Sequence, residues 1–349
     1  MSEAQAVWPP QWAYVEGEPT LAGSYRQRPE EFVVDEVLGF TPEGEGEHLW
    51  VWVEKRGVTT PDLARLLAKR AEIAVRDVGF SGLKDRDGVT RQWLSLALPG
   101  RELAAGWDDG LAERGVQVLD ARRHPRKLKR GVHRANRFSL RLRGEATAAS
   151  ATFERWQRRV AEGIPNYFGP QRFGPGGRNL QRAEALFARG WRKRDDPQGL
   201  LLSTARSYLF NEVLSARVAD GSWCRAIAGD VFNLDGSNSR FAAETLDAAL
   251  EARLASGDLH PTAMLWGVGR LESAGEVAER ETRIANAHPT LRDGLEAAGA
   301  RQARRPLRVR LADPEWRTTD DGVELSFTLP RGAFATALLR ELFTDASLT

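Results

Sequence analysis

The sequence predicts a mixed α+β protein, and three observations predict it. Short runs with strand periodicity gather at both ends of the chain, the middle reads as helices, and 349 residues give room for about two domains. Residues 32–37 (Phe-Val-Val-Asp-Glu-Val) and 48–53 (His-Leu-Trp-Val-Trp-Val) are β-rich runs parted by a turn-like Pro42-Glu43-Gly44-Glu45-Gly46. Thr60-Pro61-Asp62 supplies a capping hydroxyl, a first-turn proline and an early acid, after which Leu63, Leu66, Leu67 and Ala71 recur at helical spacing. Val78-Gly79-Phe80 is a short strand running into a loop over 81–89, and strand character returns at 92–96 and 138–142. From about Ile164 the chain turns to glycine-rich loop and then helix, with Leu180, Ala183, Leu186 and Phe187 marking one face and Ala205, Tyr208, Leu209 and Val213 another. Residues 307–311 and 323–329 alternate as strands, and an amphipathic helix follows Pro330. Strand-rich ends around a helical middle predict one domain interrupted by another.

A hydrophobic share of 42% against 28% charged residues suits a chain that buries real cores, and no run approaches the roughly 18 apolar residues of a membrane span. The first twelve residues lack the basic-then-apolar order of a secretory signal, and the single cysteine, Cys224, excludes an internal disulfide; both point to the cytoplasm. Five histidines, none paired at ligand spacing on a helix face, predict no zinc site. Net charge is +2, but six of the 50 basic residues are lysines, leaving 44 arginines. Arginine suits phosphate and base contacts, but a GC-rich coding bias that also raises Ala and Gly is the better account of the excess.

Three segments could carry chemistry. In Gly82-Leu83-Lys84-Asp85-Arg86-Asp87-Gly88, an aspartate sits in a loop between two strands, and its flanking cations favour the carboxylate a nucleophile requires. The same pattern describes a solvated β-turn. Residues 122–137 form a basic tract whose Arg126, Lys127, Lys129 and Arg130 fit a phosphate backbone, or a solvated loop. Residues 165–177 interleave Tyr167, Phe168 and Phe173 with glycines and Arg172, as a base-stacking surface or a tightly packed loop. The glycines of 174–177 lack the order of a P-loop or dinucleotide fingerprint, and no Gly-x-Ser-x-Gly elbow occurs.

Taken together these segments resemble the TruD family of tRNA pseudouridine synthases. The collinear pieces are Arg28-Pro29-Glu30-Glu31-Phe32, Gly44-Glu45-Gly46-Glu47-His48, Gly82-Leu83-Lys84-Asp85 through Trp93, Asn136-Arg137-Phe138, Pro165-Asn166-Tyr167-Phe168-Gly169 with Gln171-Arg172-Phe173-Gly174, Ala205-Arg206-Ser207, and residues 329–336. The resemblance implies isomerisation of uridine 13 in tRNA, with no cofactor, metal or protein partner. It implies a pseudouridine synthase catalytic domain with a mixed, mainly antiparallel sheet over 1–163 and 305–349, interrupted by an inserted α/β TRUD domain over 164–304. The catalytic aspartate falls on Asp85, and the substrate positions fall on Phe32, Asn136 and Phe334. Phe138 stands where many other pseudouridine synthases carry an active-site tyrosine. Arg26 stands where a basic residue pairs with the aspartate. Phe32, Phe138 and Phe334 would enclose the detached uracil, Asn136 would meet a pyrimidine or ribose edge, and Arg172 would join the basic tract on the RNA backbone. Two other readings compete: a tRNA-binding protein without turnover on the same scaffold, and a hydrolase in which Asp87 supplies a second carboxylate.

Overall fold

The strand-periodic runs from both ends of the chain pair with one another. In the computed structural model, which describes residues 8–144, 149–243, 245–345 and 348, fifteen strands are seen among the described residues. They are β1 (Ser24–Tyr25), β2 (Phe32–Val37), β3 (His48–Lys55), β4 (Val78–Phe80), β5 (Val89–Ala97), β6 (Val116–His124), β7 (Ala135–Arg143), β8 (Ile164–Pro165), β9 (Val231–Leu234), β10 (Arg240–Ala242), β11 (Leu259–Leu265), β12 (Ala303–Pro306), β13 (Arg308–Val309), β14 (Ala312–Thr319) and β15 (Gly322–Pro330). Nine form one sheet in the order β14-β15-β7-β2-β5-β3-β6, with β1 on β7 and β4 on β5. Every pairing in it is antiparallel except β2 with β5. The mixed α+β class with a mainly antiparallel sheet is therefore as predicted.

Register decides which side chains share a face. Val34 lies opposite both Phe138 and Thr90, Glu36 opposite Asn136, and Thr90 opposite Lys55. Because strand side chains alternate, Phe32, Val34, Glu36, Asn136, Phe138, Thr90, Gln92 and Lys55 point to one side. The helix α1 (Thr60–Arg70) covers the neighbouring part of that side: Leu63, Ala64 and Leu67 pack with Val51, Val53, Leu94 and Leu96, all at most 2% exposed. Its cap lies one residue earlier than the sequence suggested. Thr59 accepts from the Asp62 amide, and Thr60 is buried in the first turn.

The chain divides into two compact units. One comprises Gly23–Ala148 and Ala312–Gly332 and holds the nine-stranded sheet; the other comprises Met1–Ala22, Ala149–Leu311 and Ala333–Thr349. These boundaries differ from those expected. Residues before Gly23, 149–163, 305–311 and after Gly332 group with the helical unit, while residues 312–332 lie in the sheet unit as expected. The period-two run at 307–311 does not enter the large sheet: only Arg308 and Val309 are strand, and they pair with β8. Alternation reports a two-faced strand, not its partner, and here Arg308 is drawn inward by the carbonyls of Leu254 (2.7 Å) and Leu259 (2.9 Å). The helical unit is built around Leu200–Ala219, whose first turn is capped from outside by Asp196, accepting from Leu201 and Leu202 at 3.0 and 3.1 Å. It also carries a four-stranded sheet, β10-β9-β11-β12. No helix among the described residues is long and apolar enough to cross a membrane.

Leu67 has no exposed surface and sits between α1 and the sheet. Leu67→Ala is expected to cost about 2–5 kcal/mol of unfolding free energy in the sheet unit, read by denaturant unfolding with tryptophan fluorescence.

Candidate active site

Asp85 is exposed at the middle of a loop that the rest of the sheet unit holds from below. The loop enters from β4, where Gln92 donates to the Gly82 carbonyl at 3.3 Å and the Lys84 amide donates to Thr60 Oγ1 at 3.0 Å. Thr60 in turn donates to Gln92 at 2.8 Å, so helix start, strand and loop share one polar knot. Lys55 Nζ donates to the Asp85 carbonyl at 2.6 Å and to that of Lys84 at 3.4 Å. The far end closes by backbone approach: a Cβ on Gly88 would lie 2.6 Å from the Phe32 carbonyl oxygen and 3.0 Å from its ring, so a side chain there would force the loop off β2.

Lys55 has no exposed surface. Burial brings its pKa down to about 8, opposed by the Asp85 and Asp87 carboxylates and reinforced by Lys84. Lys84 turns the other way, into the protein. Its ammonium lies 3.1 Å from Glu36 Oε2 and donates to Asn136 Oδ1 at 2.7 Å. Burial raises the Glu36 carboxyl above its usual range even though Lys84 opposes it. His133 lies beside this pair, neutral: burial and the cations of Lys84 and Arg331 lower it to about 4. Ser81 Oγ shares a hydrogen bond with its Nδ1 at 2.5 Å and accepts from its backbone amide at 2.7 Å.

Five of the predicted residues meet in this unit. Phe32 and Phe138 stand edge to face at 6.3 Å, and Phe138 stacks on Phe327 at 5.4 Å; both predicted rings are less than 10% exposed. Asn136 is half-buried beside the loop. Arg26 covers the Phe32 ring at 4.9 Å, but the carboxylate it reaches is Asp87, at 3.8 Å. No ion pair between Arg26 and Asp85 is seen among the described residues, and the cation beneath the aspartate loop is Lys55, bound to the Asp85 carbonyl. The basic tract is uneven. Arg126 and Lys129 are exposed, Lys127 donates to the Arg76 carbonyl, and Arg130 lies 3.7 Å over Phe80. Leu128, 1% exposed, fastens the tract through its amide to Ser95 at 2.9 Å.

Phe334 and Arg172 belong to the helical unit, where they adjoin. The Arg172 guanidinium lies 5.4 Å from the Phe168 ring and 5.9 Å from Phe334, and it donates to Ser203 at 3.1 Å. It is recessed rather than presented to solvent, as burial also shows in its lowered pKa. Tyr167, Phe168 and Phe173 are at most 7% exposed, so this segment is the packed loop, not an open stacking surface. The sequence reading missed Lys55, Glu36, Lys84 and His133. Its one available signal was phase: Glu36 follows Phe32 and Val34, and Lys55 follows Val51 and Val53, at inward positions of their strands.

Comparison with known proteins follows the same order of motifs. The family profile described as tRNA pseudouridine synthase D (TruD) matches residues 11–191 and 195–342. A tRNA pseudouridine synthase D from Chromohalobacter salexigens is 57% identical over 343 residues, 98% of each chain. One from Pseudomonas syringae pv. syringae is 46% identical over 318 residues, 90% of this chain and 89% of that one. A crystal structure of a candidate tRNA pseudouridine synthase D from Methanosarcina mazei superposes with a TM-score of 0.69 at 20% identity, covering 96% and 97% of the two chains, which shows the fold.

Lys55 titrates at about 8 in the folded chain and near 10.5 when unfolded, so the unfolded state binds more protons between those values and this group adds stability as pH rises through them. Relative to Lys55→Met, the wild-type unfolding free energy is expected to rise between pH 8 and 10.5 with a slope approaching about 1.4 kcal/mol per unit, measured by denaturant unfolding at each pH. A flat difference would place the lysine's charge elsewhere.

Proposed function

This chain belongs to the tRNA pseudouridine synthase D (TruD) family, and we propose that it isomerises uridine to pseudouridine in tRNA, at position 13, with Asp85 as the nucleophile on a flipped-out uridine. The observation that carries the reading is the placement of Asp85: an exposed carboxylate, on a loop clamped by Lys55, Thr60 and Gln92, bordering the face that holds Phe32 and Asn136. Pseudouridine formation breaks N1–C1′, turns the uracil, joins C5 to C1′, and moves one proton from C5 to N1. Substrate and product have the same atoms and oxidation state, so the reaction consumes no oxidant, reductant or co-substrate. The uridine must first leave the stack, at a cost of a few kcal/mol. The carboxylate of Asp85 adds to the nucleoside and is released again by the time C5 is joined to C1′, and the apolar rings of Phe32 and Phe138 border the base while it is detached. We assign this chemistry to the sheet unit. The helical unit, which contains the whole of the expected insert at 164–304 together with Phe334 and Arg172, contributes to selecting tRNA, and the setting is the cytoplasm. Asp87 gives little support to a two-carboxylate hydrolase, since it is exposed and faces Arg26.

Asp85→Asn is expected to lower pseudouridine formation at least about 10³-fold while leaving folding and tRNA affinity nearly unchanged. Pseudouridine mapping in tRNA before and after treatment measures it. Substantial single-turnover activity in the variant removes Asp85 from this role, and an inactive wild type leaves the chain a tRNA-binding protein only.

Affinity for tRNA is expected to fall steeply with salt. Neutralising Arg126, Lys127, Lys129 and Arg130 together should flatten the log–log slope by up to about 0.9 for each phosphate left without its cation. An unchanged slope would return the tract to the solvated-loop reading.

A further inference from the structure

We propose that Lys84 is a positioning residue that fixes the Asn136 amide with its NH2 toward the substrate, so that Asn136 serves as a hydrogen-bond donor to a carbonyl oxygen of uracil. This deepens the isomerase reading above and rests on it for the identity of the base.

An asparagine amide offers a donor end and an acceptor end, and on its own either could face a ligand. Here the choice is made by chemistry. An ammonium has three donors and no acceptor, so the atom that Lys84 meets at 2.7 Å is the amide oxygen, Oδ1. The NH2 is then the free end, and among the described residues it makes no hydrogen bond, although Asn136 keeps part of its surface exposed.

Lys84 cannot readily swing aside and let the amide turn over. Its side chain is 5% exposed and faces a Glu36 side chain with no exposed surface, at 3.1 Å. Moving the ammonium would leave a buried carboxylate without its counter-charge. Glu36 is itself fixed, lying opposite Asn136 in the β2–β7 register and accepting from the Trp93 amide at 3.3 Å. The Lys84 backbone is tied at both polar atoms, its amide to Thr60 at 3.0 Å and its carbonyl to Lys55 at 3.4 Å. Lys84 also precedes Asp85 directly, so one clamp sets both the nucleophile's loop and the amide that would read the base.

A fixed NH2 complements an acceptor. Uracil offers carbonyl oxygens at C2 and C4, whereas cytosine has an amino group at C4, which would set donor against donor. An Asn136 held this way meets uracil through one of the two carbonyls, and only the contact at C4 separates uracil from cytosine, which shares the C2 carbonyl.

The test uses tRNA in which the target uridine is replaced by 2-thiouridine, 4-thiouridine or 2′-deoxyuridine, sulfur being the weaker acceptor. With the wild type, one of the two thio substitutions is expected to lower kcat/KM about tenfold, the size of one hydrogen bond. Asn136→Ala should lose a similar factor on ordinary tRNA, and its thio penalty should shrink below about twofold. Lys84→Met alone would strand Glu36, so the variant used is Lys84→Met with Glu36→Gln, its fold checked by thermal unfolding. It too should lose the thio penalty, which a merely structural role would leave in place. Where turnover is too slow, equilibrium binding of the same RNAs reads the same penalty. A thio penalty that survives in the double variant overturns the role of Lys84. A wild type indifferent to both thio substitutions but sensitive to 2′-deoxyuridine overturns the uracil assignment in favour of the ribose. A wild type that forms no pseudouridine sinks the isomerase reading instead, and binding selectivity still decides the orientation of Asn136.

Discussion

Lys55 directs its ammonium at the carbonyl oxygens of Lys84 and Asp85 from a position with no exposed surface. Burying a cation is expensive unless its donors are taken up and an opposite charge is close. Both conditions are met by the loop itself, through two backbone carbonyls and the fields of Asp85 and Asp87. The dependence is mutual: the lysine needs the loop's oxygens, and a loop of alternating charges between two strands would otherwise be an unconstrained turn. Once the carbonyls of 84 and 85 are fixed, the two side chains are committed to opposite fates. Lys84 points inward to Glu36 and Asn136, and Asp85 stands in solvent.

The basic tract obeys the same logic of uneven burial. A run of cations cannot lie flat on a protein without anchors, and here Leu128 and His133 are the anchors, one in an apolar niche and the other as a neutral imidazole against Ser81. The Gly131 amide also donates to the Ser81 carbonyl at 2.9 Å, so the tract is buttoned to the first residue of the Asp85 loop. Its cations are therefore of two kinds. Lys127 and Arg130 already have partners in the protein, a carbonyl and an aromatic face, although Arg130 is exposed as Arg126 and Lys129 are.

What the sequence made legible was local. Residues 32–37 and 78–80 were read with their full bounds, and the strands at 48–55, 89–97, 135–143 and 322–330 were found but cut short at one or both ends. Alternation and turn residues carry that information without any knowledge of partners. Long-range facts were not legible. Residues 307–311 alternate as well as residues 323–329 do, yet the former fall to a two-stranded ladder because Arg308 finds carbonyls at Leu254 and Leu259. Arg26 sits near the right loop but on the wrong aspartate, since its own backbone takes a left-handed turn (φ 62°) and its guanidinium settles over Phe32. Such outcomes depend on which charges are buried together, and no spacing in the chain encodes that directly.

In the segment 165–173 the structure decides between the two uses that composition left open. Aromatics beside arginine fit a stacking surface for bases, and in the helical unit they do stack, but on the protein's own arginines. Arg305 lies 4.0 Å over Phe168 and bonds to Asn166 Oδ1 at 2.6 Å, while Arg172 takes another side of the same ring at 5.4 Å. Two guanidinium groups around one buried ring repel, and burial together with that repulsion brings Arg305 down to about 9. An aromatic face and the carbonyl and amide oxygens of Asn166 offset this cost only in part. The unit thus packs two guanidinium groups against Phe168, and one of them, Arg172, also lies 5.9 Å from the Phe334 ring.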